Sequence, residues 1–288
     1  MSGTLYVVAT PIGNLGDISE RALLTLREVD AIAAEDTRRS MALLRHFDIS
    51  TRLISYHEYS TASRHLHILD MLSSGMNIAL ISDAGMPGIA DPGEQLIGDW
   101  ISQGGRVTVI PGATAFLAGL VLSGLPAGRF AFEGFLPRSG QLRRRVLRDL
   151  VAEKRTLVFY EAPHRLQDTL QDMLATFGER SASISREITK VYEEVLRGQL
   201  SELLQEVGTR EVLGEIVLVV AGKGDDYLKP PVDEADLDAV LGELLAEGHK
   251  PAQAAKQAAQ RLGVERSEAY SRAVFLSQSM RGGGEEQS

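Results

Sequence analysis

Residues 78–94 of the sequence read IALISDAGMPGIADPGE, an apolar, β-rich run that leads directly into a loop crowded with turn residues. The loop, residues 81–94, holds three glycines, two prolines and two aspartates. Glycine permits backbone conformations that other residues avoid, whereas proline restricts the backbone to one region. A loop with so many of both is more specialised than a simple connection requires. We predict a strand over residues 78–83 and a loop whose backbone N–H and C=O groups face a small ligand, with Asp83 or Asp91 taking a cationic or hydroxyl group.

Four further apolar runs flank this strand within the first 125 residues and alternate with helix-like segments. They predict strands at residues 5–10, 31–36, 52–57 and 106–111. Alternating strands and helices are typical of a parallel sheet covered by helices, and ligands bind such sheets at the carboxyl ends of the strands. The polar and turn residues at those ends should converge on one crevice: Pro11, Gly13, Asp36, His57, Asp83, Pro111 and Gly112.

Two more loops border the predicted crevice. The loop ATPIGNLGD, residues 9–17, follows the first strand and precedes a helix near Ser19, for which Ser19 and Asp17 are capping candidates. Gly13 permits close backbone approach to a ligand, but the G-x-G-x-x-G pattern of a pyrophosphate loop is absent, and an ordinary strand-to-helix turn remains the alternative. PGATA, residues 111–115, would form the opposite wall.

The rest of the chain predicts a second α/β domain and a helical extension. Residues 1–125 form the first domain in this interpretation, and residues 126–225 repeat the strand and helix pattern with a basic helix over residues 141–152. A linker over residues 224–234 then leads to three helices, residues 235–247, 251–262 and 267–279. Within an extension of residues 232–280 they are either a compact appendage or a helix-turn-helix-like nucleic-acid module. We predict a disordered tail, residues 281–288.

Composition narrows the possible functions. The chain has 288 residues and no cysteine, so disulfides, thiolate metal sites and cysteine nucleophiles are excluded, and no spacing resembles a zinc or EF-hand site. No basic leader precedes the first strand, and the longest apolar stretch, residues 113–125, is too short to span a bilayer, so we expect a cytoplasmic protein without a membrane contact. The net charge of −9 argues against a protein that binds nucleic acid through its overall charge. Any RNA contact must therefore be local, and residues 138–155, with seven basic and two acidic residues, are a candidate segment.

Charged residues also follow other predicted strands. EDTRRS at residues 35–40 and SYHEY at residues 55–59 do so in the first domain, and FYEAPHR at residues 159–165 and REITKVYEE at residues 186–194 in the second. These residues are candidates for acid, base or charge-stabilising roles. Solvated strand ends, or an ion-pair network at a domain interface, would give the same pattern.

Taken in order, TPIGNLGD, AAEDTR, SYHE, LISDAGMPGIADPG, VIPGATA, FYEAPHR and REITKVYEE closely resemble the ribosomal RNA small-subunit methyltransferase I family within the tetrapyrrole-methylase-like fold. The resemblance runs from about residue 3 to residue 223, and the C-terminal helices resemble that family's helix-turn-helix extension. It implies an α/β fold of two domains with S-adenosylmethionine bound in the cleft between them. It also implies a homodimer that methylates the ribose 2'-oxygen of a cytidine in the decoding region of 16S rRNA, in the free rRNA or the small ribosomal subunit.

The resemblance assigns cofactor-binding residues to three loops: Pro11, Gly13, Asp83, Gly85, Met86, Ile89, Ala90, Pro111, Gly112, Thr114 and Ala115. Met86 and Ala90 stand where the family commonly has threonine and serine. At those two positions we expect backbone contacts rather than hydroxyl contacts.

A ribose hydroxyl is a weak nucleophile at neutral pH, so a general base, or a cation that lowers the hydroxyl pKa, would accelerate the transfer by roughly 10²- to 10⁴-fold. The candidates, which the sequence does not rank, are Lys190, Glu187, Glu161 and Asp17. On the basic helix, Leu142, Val146, Leu147 and Leu150 would share one face and leave arginines for RNA phosphates. The arginines in question are Arg143, Arg144, Arg145 and Arg148.

Two other functions fit the same sequence. One is a methylase acting on a tetrapyrrole or another small metabolite, because one fold hosts several substrates. The other is a non-catalytic RNA-binding assembly factor that retains the cofactor fold as a scaffold. The basic segment and the C-terminal helices favour RNA over a small metabolite, and the missing phosphate-loop patterns argue against a dehydrogenase or a kinase.

Overall fold

The computed structural model describes residues 2–57, 61–224, 234–262, 264 and 266–282. The chain packs as two compact units, Met1–Leu228 and Lys229–Ser288. The first unit contains two five-stranded sheets, and the second is helical. Within the described ranges, no helix is both long and apolar enough to cross a membrane.

The first sheet is entirely parallel, as predicted, with strand order β3-β2-β4-β1-β5. Its central strands β2 and β4 consist of buried apolar residues, because helices cover both faces. The strands are β1 Thr4–Val8, β2 Ala31–Ala34, β3 Leu53–Ser55, β4 Ile78–Ile81 and β5 Arg106–Ile110. The helices are α1 Glu20–Glu28, α2 Thr37–His46, α3 Ala62–Ser73, α4 Glu94–Ser102 and α5 Ala115–Ser123.

The second sheet has the order β6-β7-β10-β8-β9, in which only the β6–β7 pair is parallel. The strands are β6 Phe130–Phe135, β7 Thr156–Glu161, β8 Ser181–Arg186, β9 Glu194–Gln199 and β10 Ile216–Val220. The helices are α6 Gly140–Asp149, α7 Pro163–Phe177 and α8 Leu200–Gly208. Strand β9 was not predicted from the sequence, because its residues EVLRGQ, at an edge of the sheet, lack a clear apolar alternation.

Helix α5 follows the last strand of the first sheet and packs on the second sheet. Phe116 and Leu120 are buried against Val158, Val217 and other residues of β7 and β10. The contact is close at Gly119, where an added Cβ would lie 2.5 Å from Val217 Cγ1. Both sheets thus belong to one compact unit, and a division at residues 125 and 126 stays a prediction.

The second unit consists of the three expected helices, α9 Glu234–Ala246, α10 Pro251–Leu262 and α11 Arg266–Gly282. Leucines of α9 pack on alanines of α10 and α11, and these small residues let the helices approach closely. Residues 225–233 of the predicted linker lie outside the described residues. So do residues 283–288 of the predicted tail, whereas residues 281 and 282 belong to α11.

The contact between α5 and β10 gives a stability prediction. Gly119→Ala should lower the free energy of unfolding by about 1–3 kcal/mol, because its methyl group would overlap Val217. Gly98→Ala is a matched control in α4, where an added Cβ meets nothing within 4 Å, and should raise it by roughly 0.5–1 kcal/mol through helix propensity. Denaturant unfolding of the two variants measures the difference; equal effects would contradict the close contact.

Candidate active site

A cavity of about 400 Å³ opens where the carboxyl ends of the first sheet meet the second sheet. Its size is in the range of small-molecule binding sites. Nine of the residues singled out from the sequence line it: Asp83, Gly85, Met86, Ile89, Ala90, Asp91, Thr114, Ala115 and Glu161. These further lining residues were not individually predicted from the sequence: Ile12, Glu35, Arg39, Ala84, Phe135, Tyr160, Ala162, Pro163, Ile188, Gly214, Glu215, Ile216 and Val217.

The loop after β4 forms one wall and has an unusual backbone. Gly85, Gly88 and Gly93 have φ angles of +83°, +81° and +133°, and Ala90 has +57°. A side chain at positive φ costs energy, so the surrounding contacts must hold Ala90 in place. One such support is a backbone bridge, in which Thr10 N donates to Gly85 O at 2.9 Å and Gly85 N donates to Thr10 O at 3.1 Å. The loops after β1 and β4 are thereby joined into one wall.

Asp83 connects the ends of two neighbouring strands on this wall. Its Oδ1 accepts a hydrogen bond from the backbone N of Asp36 at 3.1 Å, and its Oδ2 accepts one from Arg39 Nη1 at 3.0 Å. Glu35 lies beside them, and burial together with the charge of Asp83 raises its pKa. The motif EDTRRS therefore contributes to the cavity through Glu35 and Arg39.

Among the carboxyl groups that line the cavity, Asp91 has the most clearly shifted pKa. Its pKa is raised to about 6, chiefly by burial and also by the nearby charges of Glu35 and Asp83, which together outweigh the opposing hydrogen bond from the Ser82 hydroxyl. The group therefore changes charge close to neutral pH, where an acid or base works best. The sequence predicted Asp91 as a binding group of the loop but not as a proton acceptor.

The opposite wall comes from the second sheet, where Glu161 ends β7. Its Oε1 accepts the backbone N–H of Ala162 at 2.8 Å and its Oε2 accepts the Thr169 hydroxyl at 2.6 Å. Arg165 Nε lies 3.4 Å from Glu161 Oε1, while its Nη2 donates to the carbonyls of Leu136 and Pro137 at 2.8 and 3.1 Å. Since its oxygens are already engaged, Glu161 is suited to positioning its neighbours rather than to accepting a proton.

The segment after β8 borders the cavity through Ile188. Glu187 and Thr189 have φ angles of +51° and +69°, so this short turn is strained. Lys190 Nζ lies 2.9 Å from Glu187 Oε1 and 3.5 Å from Glu215 Oε2. Gly13, in the loop after β1, lies directly against this turn, because an added Cβ there would be 2.5 Å from Lys190 Cγ.

These contacts set the charges of the turn. Burial lowers the pKa of Lys190, but its hydrogen bond with Glu187 and the charge of Glu215 outweigh burial, so the pKa is raised overall. The hydrogen bond from Lys190 lowers the pKa of Glu187 in turn. Both groups are therefore charged at neutral pH, and Lys190 is a fixed cation rather than a base.

Several expected residues do not line the cavity: Pro11, Gly13, Asp17, Asp36, His57, Pro111, Gly112, Glu187 and Lys190. Gly13, Glu187 and Lys190 support its border, as described. Asp17 is an exposed residue of a 3₁₀ turn, Leu15–Asp17. Gly112 packs against the end of β1, since an added Cβ would be 2.9 Å from Ala9 Cβ. Within the described residues, no group of three or more His, Asp or Glu side chains could hold a metal ion.

The basic helix α6 differs from the expectation at two positions. Arg143 is buried and its Nε lies 2.7 Å from Asp172 Oδ2 on α7, so it does not face solvent. Leu142, expected on the apolar face, is exposed instead. An arginine can occupy an inward position when a carboxylate neutralises it there. Arg144, which shares Asp172 at 3.3 Å, remains exposed, as do Arg145 and Arg148.

Comparisons with known proteins agree with this architecture. The family model "Tetrapyrrole (Corrin/Porphyrin) Methylases" matches residues 4–204, and "RsmI C-terminal HTH domain" matches residues 231–277. The chain is 47% identical over 270 residues to "Ribosomal RNA small subunit methyltransferase I" of Halalkalibacterium halodurans, covering 93% of each chain. It is 44% identical over 275 residues to the protein of that name from Synechocystis sp., covering 95% of this chain and 98% of the relative.

Among solved structures, the chain resembles uroporphyrin-III C-methyltransferase from Thermus thermophilus complexed with S-adenyl homocysteine. The TM-score is 0.54 at 19% sequence identity, and the match covers 76% of this chain and 97% of that one. At this identity the likeness concerns the fold.

The acidity of Asp91 gives a prediction on stability. Its pKa in the folded protein lies above the ordinary value of 3.8, so its contribution to stability is present at low pH and is lost as the pH rises through about 6. Asp91→Asn cannot ionise and should be more stable than the wild type at pH 8 by on the order of 1 kcal/mol, after allowance for partial solvent screening. At pH 4.5 the two proteins should differ little.

Denaturant unfolding of both proteins at the two pH values measures this difference. Titrating groups remote from Asp91 are common to wild type and variant, so their effects cancel, whereas Glu35 and Asp83 interact with the Asp91 charge and belong to the measured difference. A stability difference that stays constant with pH would contradict the raised pKa.

Proposed function

The chain belongs to the ribosomal RNA small subunit methyltransferase I family of the tetrapyrrole methylases, and from this membership we propose that it transfers a methyl group from S-adenosylmethionine to 16S rRNA. The proposed acceptor is the ribose 2'-oxygen of a cytidine in the decoding region. The observation that carries the proposal is the cavity at the junction of the two sheets. Its lining combines the glycine-rich loop after β4 with several charged side chains. We expect the protein to act in the cytoplasm, where this substrate would be found.

The cavity fits a cofactor that carries both a cation and a carboxylate. When bound, S-adenosylmethionine supplies a methyl group on a positively charged sulfur. The carboxyl groups of Asp83, Asp91 and Glu215 favour a cation, while α5 begins at Thr114 and Ala115 without a side-chain cap and so favours an anion. The positive-φ backbone of residues 85–93 leaves peptide groups available for polar contacts. Met86 and Ala90 would contribute backbone groups only.

Among the four candidate residues, we propose Lys190 for the charge-stabilising role. Its raised pKa keeps it cationic, and Glu187 and Glu215 hold its ammonium group at the border of the cavity. A fixed cation there would lower the pKa of a ribose hydroxyl and stabilise the developing negative charge on its oxygen. Glu187 would orient Lys190. Glu161 would hold its neighbours in the cavity wall that the second sheet forms, and Asp17 has no role in this scheme. Among the carboxyl groups that line the cavity, Asp91 has the pKa best suited to accepting the proton.

RNA contacts would come from the exposed side of α6 and from the second unit. Arg144, Arg145 and Arg148 are exposed on α6 and can bind phosphates, whereas Arg143 stabilises the helix through Asp172. The match of residues 231–277 to a helix-turn-helix model supports a nucleic-acid role for the second unit. These basic groups favour RNA over a small-metabolite substrate.

The function is tested by supplying the protein with labelled S-adenosylmethionine and small ribosomal subunits from cells that lack it. We expect transfer to the rRNA and a 2'-O-methylcytidine product after nuclease digestion. Lys190→Ala should lower kcat by roughly 10²-fold or more with an unchanged cofactor dissociation constant, and Lys190→Arg should retain part of the rate because it keeps the charge.

Three outcomes would contradict this scheme. Transfer to a tetrapyrrole but not to rRNA would identify a small-metabolite methylase. Cofactor binding without transfer to subunits or free rRNA would favour an assembly factor. Equal rates for wild type and Lys190→Ala would remove Lys190 from the chemistry.

We also propose that the protein is a homodimer formed through the outer face of α5. This helix, AFLAGLVLS, carries no charged residue, and Val121 on its outer face is 74% exposed. An uncharged helix that exposes Leu117 and Val121 while its inner face is buried is typical of a surface covered by a partner. A second copy of the chain is the partner that the family resemblance implies.

Val121→Glu should weaken the dimer by more than about 10-fold, because taking a charged carboxylate out of water into an apolar interface costs free energy. Molar mass by light scattering across a dilution series measures the effect. Leu24→Glu, at a 47% exposed position on α1, is the matched control and should leave the mass unchanged. A monomeric wild type, or an undisturbed Val121→Glu dimer, would contradict the proposed interface.

A further inference from the structure

An aromatic residue at the cavity mouth has no role in the scheme above. Phe135 lines the cavity and is nevertheless 56% exposed. Its ring centroid lies 5.4 Å from that of Tyr160, which is the next aromatic residue on the same wall. A large apolar ring that remains half in water at the entrance of a binding site is available to contact a ligand.

A β-bulge in β6 sets the direction of Phe135. Phe132 pairs with Val158, Gly134 pairs with Phe159, and Glu133 is the extra residue between them. In a regular strand, Phe132 and Phe135 would point to opposite faces, because successive side chains alternate. The bulge reverses this, so that both rings contact Tyr160, at 5.1 and 5.4 Å between centroids.

Gly134 makes the bulge possible, since its φ of +63° is in a region that favours glycine. Bulges commonly direct a side chain at the border of a site. The local backbone of β6 therefore specifically brings Phe135 to the cavity.

The chain after Phe135 is held firmly. Leu136 is buried, and Arg165 binds the carbonyls of Leu136 and Pro137 while it lies against Glu161. Tyr160 supports the ring from the cavity wall. A ring fixed in this way loses little conformational freedom when a ligand stacks on it.

Basic groups follow in the same segment. Arg138 is exposed three residues after Phe135, and Arg145 and Arg148 are exposed on α6. Aromatic rings that stack with bases, combined with cations that bind the phosphates, are the usual means of holding single-stranded RNA. The arrangement fits an unpaired nucleotide whose base is at the cavity mouth and whose phosphates lie outside it.

We propose that Phe135 is a substrate-binding residue on which the base of the target nucleotide stacks, while Arg138, Arg145 and Arg148 bind the adjoining phosphates. This inference rests on the proposed RNA methyltransferase function. A ribose inside a regular helix cannot enter the cavity, so the target nucleotide must leave the stack, and a stacking surface offsets part of that cost.

The test compares Phe135→Ala, Phe135→Leu and Phe135→Trp with the wild type on small ribosomal subunits. Phe135→Ala should lower kcat/KM by roughly 5- to 100-fold, mainly through KM, with an unchanged dissociation constant for S-adenosylmethionine. Phe135→Leu, which keeps the apolar bulk without a π-face, should resemble Phe135→Ala, and Phe135→Trp should retain most of the activity. Ile101→Ala is the matched control, because Ile101 on α4 is 56% exposed, as Phe135 is, but does not line the cavity, and this variant should behave as wild type.

A second measurement does not depend on methyl transfer. Wild-type protein should quench the fluorescence of 2-aminopurine in a single-stranded RNA oligonucleotide, and Phe135→Ala should lose most of that quenching. If wild type transfers no methyl group to rRNA but quenches through Phe135, the proposed function fails and the stacking role stands. If wild type methylates the subunits and Phe135→Ala matches it in both measurements, the stacking role fails and the function stands.

Two further results would overturn the inference. A parallel loss of cofactor affinity in Phe135→Ala would assign the ring to the cofactor site. Full activity of Phe135→Leu would show that apolar bulk alone suffices.

Discussion

The close packing of α5 on β10 is the contact on which the rest of the first unit depends. α5 begins directly after the last strand of the parallel sheet, yet its buried face belongs to the core of the second sheet. Gly119 allows this contact because any larger residue would overlap Val217. The start of α5 at Thr114 is thereby fixed at the cavity together with the end of β4. The position of the cavity is thus a consequence of how one helix packs.

Backbone strain is concentrated at the borders of this cavity. Ala90 lies on one side and Glu187 and Thr189 on the other, all at positive φ without being glycine. Such conformations each cost of order 1–3 kcal/mol and persist only where surrounding contacts hold them. Here the holding contacts are the Thr10–Gly85 bridge and the bonds among Glu187, Lys190 and Glu215. The two strained turns therefore keep polar groups fixed at the cavity before any ligand binds.

The sequence predicted those parts of the structure whose cause is local. The parallel sheet followed from uninterrupted apolar runs, and the loop after β4 followed from its glycines and prolines. The sequence did not predict features that depend on distant residues. Arg143 is buried because Asp172, 29 residues later, neutralises it, and β9 becomes a strand because β8 pairs with it. Phe135 was missed because a bulge changes its face, which a simple alternation pattern does not indicate.

The distribution of charge separates the two ligands of the proposed reaction. Carboxyl groups at the cavity, including Asp83, Asp91 and Glu215, favour a cationic cofactor and disfavour phosphate. Exposed arginines of α6 favour phosphate, and at physiological ionic strength charges interact strongly only within about 8 Å. The net charge of −9 therefore does not prevent a local basic surface from binding RNA. Of a nucleotide, only the uncharged base and ribose match the cavity mouth, so in the proposed reaction the charges that favour the cofactor would also keep the RNA phosphates outside the cavity.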